Sequence, residues 1–396
     1  MIERDLTSAL QLDAQKAPVI AILGPRQSGK TTLARSVFGQ HKYISLEDLD
    51  MREFAIQDPR KFLADNHNEH GILLDEIQHV PGLLSYMQTQ VDMDYRPGYF
   101  ILTGSQNFLV SQAITQTLAG RISLHTLLPM SAHELIRADL LPNTIEETLF
   151  RGGYPIIYSR AYEPTKWYVD YIKTYLERDV RMITSVSDLS TFRRFMKLCA
   201  GRIGQIVNLT SLGNDCGITY NTAKSWLSLL EASYIIFQLQ PHYQNFNKRV
   251  IKSPKLFFYD TGLACSLLDI ENEKQLSSHY LRGGLFESFV IAELYKTFYN
   301  ADKVPHLFFW RDHTGHEIDC IIEKGQYLYP LEVKAGATVN ADFFKALTFW
   351  NELAQTNPEH GFVVYGGNEN QSRSLANVVS WRAIPNIFEY IMKANT

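Results

Sequence analysis

The sequence is poor in cysteine and in long apolar segments. Its four cysteines, Cys199, Cys216, Cys265 and Cys320, lie too far apart for a metal-binding C-x-x-C pair, and we expect buried thiols in a reducing compartment. No apolar stretch approaches the roughly 18 residues that a membrane-spanning helix requires, and no apolar leader follows the charged N-terminus. These absences predict a cytoplasmic protein without a membrane partner.

The sequence also lacks an excess of charge of either sign. Its 396 residues carry a formal net charge of -4, which excludes a polycation that coats nucleic acid over its whole surface. With 45% hydrophobic and 20% charged residues, the composition is that of a globular protein of several domains. Any contact with nucleic acid must therefore come from a local basic patch.

The clearest motif lies between an apolar segment and a helical pattern. Residues 18–23 (PVIAIL) predict a buried strand, and GPRQSGKT follows at once, matching the phosphate-loop pattern G-x-x-x-x-G-K-[ST]. Its glycines let backbone N–H groups turn toward phosphates, while Lys30 would contact the β and γ oxygens and Thr31 would hold Mg²⁺. The sequence therefore predicts ATP and Mg²⁺ as cofactors. The predicted nucleotide-binding residues are Gly24, Pro25, Arg26, Gln27, Ser28, Gly29, Lys30, Thr31 and Thr32.

Two further apolar segments end in polar residues suited to this site. Residues 71–74 lead into Asp75 and Glu76, and we predict that Asp75 holds Mg²⁺ through water while Glu76 polarises the attacking water. Residues 99–102 lead into TGSQN, whose end should lie beside the γ-phosphate. Ser105 or Asn107 is the candidate for sensing that phosphate, and a plain turn is the alternative.

An arginine follows in the segment LAGR. Arg121 is a candidate for stabilising negative charge in the transition state, either within its own subunit or from a neighbour in a homo-oligomer. Two alternatives stay open: a surface salt bridge for Arg121, and a catalytic role for Arg26 inside the phosphate loop.

Several motifs occur together in one order. GPRQSGKTT, LLDEIQ, LTGSQ, LAGR and LLPMSAHEL are followed by YLERDV and FYDTGL. In this order they resemble a group of prokaryotic AAA-like ATPases whose C-terminal region is of unknown function. The resemblance covers nearly the whole chain. It implies a parallel α/β ATPase domain and nucleotide binding, but it implies no substrate.

The middle of the chain predicts helices followed by a hairpin. Segments 209–213 and 220–231 are helical in pattern, and 235–239 and 255–259 predict two strands, which together is a winged-helix pattern. The hairpin would bring four basic side chains to a phosphate backbone, so DNA is the expected partner. The second helix would contribute only weak sequence-specific contacts with the nucleobases. A module that only packs or docks a protein is the alternative. The predicted nucleic-acid residues are Lys248, Arg249, Lys252 and Lys255.

A second hairpin is predicted near the C-terminus, with its turn at residues 325–326. With the turn at this position, Asp319 lies opposite Glu332, with Cβ atoms about 4.5–5.5 Å apart. Lys334 then lies on the same face of the hairpin. Two carboxylates and a lysine can bind Mg²⁺ and activate water for phosphodiester cleavage.

The spacing of these three residues resembles the PD-(D/E)xK nuclease superfamily. Ile318 replaces the proline of that pattern, and Glu287, on the preceding predicted helix, occupies the place where many members carry another acidic ligand. The resemblance implies a restriction-endonuclease-like α/β domain. Whether such a domain cuts DNA, binds it without cleavage, or keeps only a structural salt-bridge cluster stays open.

Together these features predict four regions. They are an AAA-like parallel α/β ATPase domain (1–140), a helical lid or linker (141–200), a winged helix (201–277) and a nuclease-like domain (278–396). The expected function is Mg²⁺-dependent ATP hydrolysis that controls a DNA-binding and nuclease-like C-terminal region. The alternative is an ATP-switched protein-interaction scaffold with an inactive nuclease-like fold and no DNA role.

Overall fold

The computed structural model describes residues 2–105, 117–176, 189–243 and 251–393. It divides into two compact units. The N-terminal unit extends to Met130 and also includes residues 232–234 and 299–303. The C-terminal unit contains the remaining residues, so the segments predicted as lid, winged helix and nuclease-like domain all contribute to one unit. No helix within the described ranges is long and apolar enough to cross a membrane.

The N-terminal unit is built on a parallel sheet. Within its described residues five strands lie in the order β2-β3-β4-β1-β5, and every neighbouring pair is parallel. The strands are β1 (Val19–Gly24), β2 (Lys42–Ser45), β3 (Ile72–Asp75), β4 (Phe100–Ser105) and β5 (Ile122–Thr126). The helices are α1 (Thr7–Asp13), α2 (Lys30–Val37), α3 (Leu49–Gln57), α4 (Pro59–Asp65) and α5 (Leu83–Met93), with a 3₁₀ turn at Ile77–His79.

The central strands of this sheet are apolar up to their carboxyl ends, as expected for strands that are covered on both faces. Along β1, Val19 and Ala21 pack into a core cluster on one face, while Ile20 and Ile22 pack into a second cluster on the other. All six residues of β1 and all four of β3 are buried. Since parallel strands end at a common edge, this packing brings the ends of β1, β3 and β4 together.

The C-terminal unit contains an eight-stranded mixed sheet among its described residues, in the order β12-β13-β11-β10-β9-β8-β6-β7. The predicted hairpin β6–β7 forms as an antiparallel pair, but it lies at one edge of this sheet because β6 also pairs with β8. The strands are β6 (Ile236–Pro241), β7 (Lys255–Phe258), β8 (Leu307–Arg311), β9 (Glu317–Lys324), β10 (Tyr327–Lys334), β11 (Phe362–Tyr365), β12 (Gln371–Ser372) and β13 (Asn377–Ser380).

Helices account for much of the remaining chain. The helices predicted at 209–213 and 220–231 are present, and the region predicted as a helical lid or linker contains helices within its described residues, with a π-helical segment at Ile172–Leu176. The helices are α6 (Ala132–Arg137), α7 (Ile145–Arg151), α8 (Pro155–Ser159), α9 (Pro164–Tyr171), α10 (Leu189–Ala200), α11 (Leu209–Cys216), α12 (Tyr220–Ala232), α13 (Thr261–Leu267), α14 (Glu273–Leu276), α15 (Arg282–Asn300), α16 (Lys345–Ala354) and α17 (Pro385–Lys393). Short 3₁₀ turns lie at Ala341–Phe344, Pro358–His360 and Trp381–Ala383.

The FYDTGL segment forms a structural junction in the C-terminal unit. Asp260 caps α13 by accepting a hydrogen bond from the Leu263 N–H at 2.9 Å. Its buried carboxylate also accepts from the Gly153 N–H and the Tyr168 hydroxyl, each at 2.7 Å. Burial raises the pKa of this carboxyl group, and the three donors oppose that shift. The motif therefore ties α13 to the start of α8 and to α9.

Candidate nucleotide site and carboxylate cluster

The loop between β1 and α2 has the backbone shape that its two glycines allow. Gly24 has φ +152°, and a Cβ atom there would lie 2.2 Å from the Leu127 carbonyl oxygen. Gly29, which precedes α2, has φ +95°. Residues other than glycine rarely adopt such φ angles, so both positions require glycine. The buried Arg4 guanidinium supports the loop, donating to the carbonyls of Ser28 at 2.8 Å and Leu128 at 2.7 Å.

The loop lysine lies against the loop backbone. Lys30 Nζ donates to the carbonyl oxygens of Gly24 at 3.1 Å and Pro25 at 2.8 Å, and the residue is only 4% exposed. Among the other predicted loop residues, Arg26 is half-buried, and Ser28 is buried. Gln27 and Thr32 are exposed. The basic group is thus held on the backbone that the motif assigns to phosphate binding.

Asp75 joins the loop to three strands of the sheet. Thr31 Oγ1 donates to its Oδ1 at 2.8 Å, and Thr103 Oγ1 donates to the same oxygen. Tyr43 on β2 donates to Oδ2 at 2.9 Å. Partial burial, followed by the charge of Asp75, raises the pKa of Tyr43 to about 12, so the phenol remains a donor through the neutral range. These hydroxyls orient a carboxylate that is itself 6% exposed.

Glu76 lies beside the end of β4. Its backbone is left-handed, with φ +59°, and its N–H is 3.4 Å from Thr103 Oγ1. Its carboxylate accepts from Gln78 Nε2 and from Ser105 Oγ, the latter at 3.5 Å. Ser105 therefore lies where the strand-end reasoning expects a small polar group, while Asn107 lies outside the described residues.

Four residues of this site are absent from the sequence-based prediction. Thr103 had a signal, because it lies two residues before Ser105 on β4 and so shares its face. Gln78 follows the acidic pair closely. Tyr43 and Arg4 carry no comparable signal, since each contacts the site across at least 24 residues of chain.

Arg121 lies at the amino-terminal ends of the parallel strands, whereas the phosphate loop lies at their carboxyl ends. It directly precedes β5, and its carbonyl accepts from Val19 N–H at the start of β1. The five steps of β1 from Val19 to Gly24 span about 16 Å. A role at the phosphates of its own subunit is therefore wrong. The guanidinium instead forms a surface salt bridge with Asp92, with N–O distances of 2.5 and 3.0 Å.

The C-terminal hairpin has the predicted register. The pairs from Tyr327–Lys324 to Leu331–Cys320 share the centre at residues 325–326, so Asp319 is opposite Glu332. Asp319 Oδ2 accepts from the Val333 N–H at 2.8 Å, and the Asp319 N–H is 3.4 Å from Glu332 Oε1. Lys334 Nζ is 2.6 Å from Glu332 Oε2.

Two more acidic residues complete a carboxylate cluster, defined as Glu287, Glu317, Asp319 and Glu332. Oxygens of Glu287 on α15 and of Glu317 and Asp319 on β9 lie within 4.8 Å of one another. Glu317, which the sequence-based prediction omitted, is two residues from Asp319 and shares its face of β9. Arg311 is 3.2 Å from Glu317 at the edge of this cluster.

Burial raises the pKa of two cluster carboxylates. The pKa of Glu332 rises to about 8, through burial and then the nearby charge of Asp319, against the lowering effect of Lys334. Burial raises the pKa of Glu287 to about 7, against the charge of Lys255. Both groups therefore bind protons near neutrality, which is typical of carboxylates held in a shared buried site.

Lys255 is buried against this carboxylate cluster. It is 3% exposed, its Nζ is 2.8 Å from Glu287 Oε1, and it also forms an ion pair with Glu317. A lysine buried among carboxylates is unavailable to a phosphate backbone, so its assignment to a DNA-binding wing is wrong. Lys252 is exposed, and Lys248 and Arg249 lie outside the described residues.

Three family models match successive parts of the chain. Residues 16–136 match the family model of an AAA domain. Residues 142–274 match a domain of unknown function (DUF8612), and residues 282–384 match another (DUF4143). The N-terminal fold, its phosphate loop and the AAA match define the class: a P-loop nucleotide-binding protein with an AAA-type ATPase domain.

Relatives extend the match to most of the chain. It is 30% identical over 338 residues to the uncharacterized proteins Rv2008c of Mycobacterium tuberculosis and Mb2031c of Mycobacterium bovis, covering 85% of this chain and 74% of each relative. The protein belongs to the family of these mycobacterial proteins. Among solved structures it is similar to the Walker-type ATPase PABY2304 of Pyrococcus abyssi, with 16% identity, coverage of 67% of this chain and 96% of that chain, and a TM-score of 0.46.

Proposed function

We propose that this protein is a Mg²⁺-dependent ATPase whose nucleotide state controls a DNA-handling C-terminal unit. The observation that carries the ATPase proposal is the contact of Thr31 with Asp75 beside Glu76. The loop lysine, a Mg²⁺-binding hydroxyl and carboxylate, and a second carboxylate for water are the groups that phosphoryl transfer to water requires.

The oxygen atoms at this site fit Mg²⁺. Thr31 Oγ1 and Asp75 Oδ1 are 2.8 Å apart, so the hydroxyl would bind Mg²⁺ directly and the carboxylate would hold it through water. When bound, Mg²⁺ neutralises charge on the β and γ phosphates. Lys30 would exchange the carbonyls of Gly24 and Pro25 for phosphate oxygens.

Glu76 is proposed to orient the attacking water. Its contacts with Ser105 and Gln78 hold the carboxylate at the end of β4, next to the strand that carries the loop. A water molecule that donates a hydrogen bond to this carboxylate would be positioned to attack the phosphate directly, without any covalent intermediate on the protein.

Replacement of Glu76 by glutamine tests hydrolysis. The variant should bind ATP normally, because the phosphate loop is untouched, and should lose most of its steady-state phosphate release. Glu69→Gln is the matched control, since that side chain is 84% exposed. Hydrolysis at the wild-type rate by a Glu76→Gln protein that binds ATP would count against the proposed role.

The C-terminal proposal is a metal-binding, nuclease-like site at the carboxylate cluster. It is supported by the opposition of Asp319 to Glu332, the 2.6 Å contact of Lys334 with Glu332, and the proximity of Glu287. Carboxylate oxygens are the ligands that Mg²⁺ and Mn²⁺ prefer, so the donor set fits such an ion. A bound ion would lower the pKa of a water molecule for attack on a phosphodiester.

Plasmid nicking tests this site. We expect cleavage with Mg²⁺ or Mn²⁺ that is lost in Asp319→Ala and in Lys334→Ala, while Asp342→Ala, an exposed carboxylate on the same unit, retains it. Absence of cleavage by the wild type under every nucleotide condition would contradict nuclease activity.

DNA binding requires its own measurement. Lys248 and Arg249 are the proposed phosphate contacts, together with the exposed Lys252. Charge reversal of the first two should weaken a salt-sensitive DNA mobility shift, whereas reversal of the exposed Lys345 should not. A shift that is unchanged by these reversals would contradict the proposed wing.

A protein-interaction scaffold is the second candidate. It is favoured by one observation, namely that Lys255 and Lys334 already pair with carboxylates of the cluster. A wild-type protein that hydrolyses ATP but shows neither DNA binding nor cleavage would support this candidate over the first.

A further inference from the structure

Lys255 brings a positive charge into the carboxylate cluster from a separate element. It lies on β7 at the edge of the sheet, whereas Glu287 lies on α15 and Glu317 lies on β9. Its ammonium group contacts both carboxylates, at 2.8 Å for Glu287. The side chain is 3% exposed, so its ammonium group lies buried between carboxylates of two other elements.

The carboxylates around this ammonium group have the spacing of metal ligands. One oxygen from each of Glu287, Glu317 and Asp319 lies within 4.8 Å of the others. Two oxygens bound to one ion at about 2.1–2.4 Å are separated by at most about 4.8 Å. The three side chains therefore suit a divalent ion as well as an ammonium group.

Asp319 is shared between two positions for a cation. Its N–H is 3.4 Å from Glu332 Oε1, and it forms with Glu332 the pair to which a divalent ion is assigned above. One of its carboxylate oxygens also lies within 4.8 Å of oxygens of Glu287 and Glu317, to which Lys255 is bound. Paired sites that share a carboxylate support two-ion phosphodiester chemistry when both hold metal.

We propose that Lys255 occupies a second divalent-metal position, formed by Glu287, Glu317 and Asp319, and limits the cluster to one divalent ion. This inference rests on the proposed nuclease-like metal site but assigns Glu287 to the second position, so that Asp319 and Glu332 remain as the ligands of the first ion. An ammonium group and a divalent ion cannot share the same three oxygens, so the second position accepts metal only when Lys255 is absent or displaced. Manganese, magnesium and calcium are the class of ions that three carboxylates favour.

Manganese binding to the nucleotide-free full-length protein tests this proposal. The wild type should bind one Mn²⁺ per chain, and Lys255→Met should bind two, with the affinity of the second position raised at least about a hundredfold because a competing unit charge is gone. Lys255→Arg, which keeps the charge, should still bind one. Lys255→Met combined with Glu287→Gln should lose the additional ion.

Melting temperatures show whether the Lys255→Met protein is still folded. Lys255→Met leaves carboxylates without their cation, so Mn²⁺ should raise its melting temperature more than that of the wild type. The double variant Lys255→Met, Glu317→Gln removes one acidic group and should recover melting temperature without metal. Lys345→Met, at an exposed lysine, is the matched control and should behave as wild type.

The outcomes separate this inference from the proposed function. A folded Lys255→Met protein that binds the same number of ions as the wild type would overturn the role of Lys255, whatever the wild-type number. If the wild type binds none and Lys255→Met binds one that depends on Glu287, the second position stands, and the wild-type metal site at Asp319 and Glu332 fails.

Discussion

Tyr43→Phe is the sharpest test of the nucleotide site because it removes one oxygen atom. Both threonine hydroxyls, of Thr31 and Thr103, donate to Asp75 Oδ1, whereas Tyr43 donates to Oδ2 at 2.9 Å. Without the phenol, the carboxylate loses the donor that holds its second oxygen. We expect Asp75 to rotate more freely and to bind Mg²⁺ less tightly.

The size of the effect follows from the type of contact. Removing a hydrogen-bond partner of a metal-ligating carboxylate typically costs 10–100-fold in metal affinity or activity. Hydrogen bonds to charged groups contribute about 1.5–3 kcal/mol, which is a similar range. Tyr43 is 38% exposed, and water can replace part of its contribution, so the lower end applies. We therefore expect an effect of about tenfold.

The measurement is ATP hydrolysis as a function of Mg²⁺ concentration. The Mg²⁺ concentration for half activation should rise about tenfold in Tyr43→Phe, with a smaller change at saturating Mg²⁺. The shift should be equal at pH 6 and pH 9, because the phenol, with its pKa raised to about 12, stays protonated throughout.

A matched variant and a clear contrary result complete this test. Tyr95→Phe also removes a phenol that donates a hydrogen bond, to the Lys16 carbonyl at 2.8 Å, but it does not contact Asp75. It should leave Mg²⁺ activation unchanged. An unchanged half-activation concentration in Tyr43→Phe would refute the reasoning, and an equal loss at every Mg²⁺ concentration would indicate a general structural role instead.

Three further predictions concern the phosphate loop, the carboxylate cluster and Arg121. Gly24→Ala should abolish binding of a fluorescent ATP analogue, because its Cβ atom would lie 2.2 Å from a carbonyl oxygen. The free energy of unfolding of the metal-free protein should fall between about pH 4.5 and pH 8, because Glu287 and Glu332 bind protons more tightly in the folded state; urea unfolding across pH measures this slope. Arg121→Ala should leave the midpoint of urea unfolding at pH 7 close to that of the wild type, because its salt bridge is solvent-exposed.

Each of these predictions has a control or a contrary result. Gly82→Ala adds a methyl group with no neighbouring atom within 4 Å and should bind the analogue normally. Glu332→Gln should flatten the pH slope, and a wild-type slope in that variant would contradict the assignment. A clearly lowered urea midpoint in Arg121→Ala would contradict the exposed position of its salt bridge.

The nucleotide site was largely predictable because its main part is local. The loop from Gly24 to Thr31 is one short segment, whose glycines and lysine act within a few residues of one another. Asp75 was predictable from its position at the end of an apolar strand. Tyr43 was not, because a tyrosine within a short strand has no distinctive pattern, and only the pairing of β2 with β3 brings it to Asp75.

The C-terminal hairpin was predictable for a similar reason. Its turn at residues 325–326 fixed which side chains oppose each other; the observed pairs as far as Leu331–Cys320 have this register, and the next residues, Asp319 and Glu332, lie close together. Lys255 was misplaced because its partners are distant in sequence. The pattern showed a basic hairpin, but it did not show that β6 would pair with β8 and bring β7 toward α15 and β9.

The sequence by itself determined the phosphate loop, the strand-end carboxylates and the register of the second hairpin. These features depend on backbone angles, strand alternation and turn position, which act over short stretches of chain. The tertiary structure alone decided which hydroxyls hold Asp75, that Arg121 lies away from the phosphates of its own subunit, and that Lys255 is buried among carboxylates. Those outcomes depend on the order of strands in each sheet, because sheet order determines which distant side chains become neighbours.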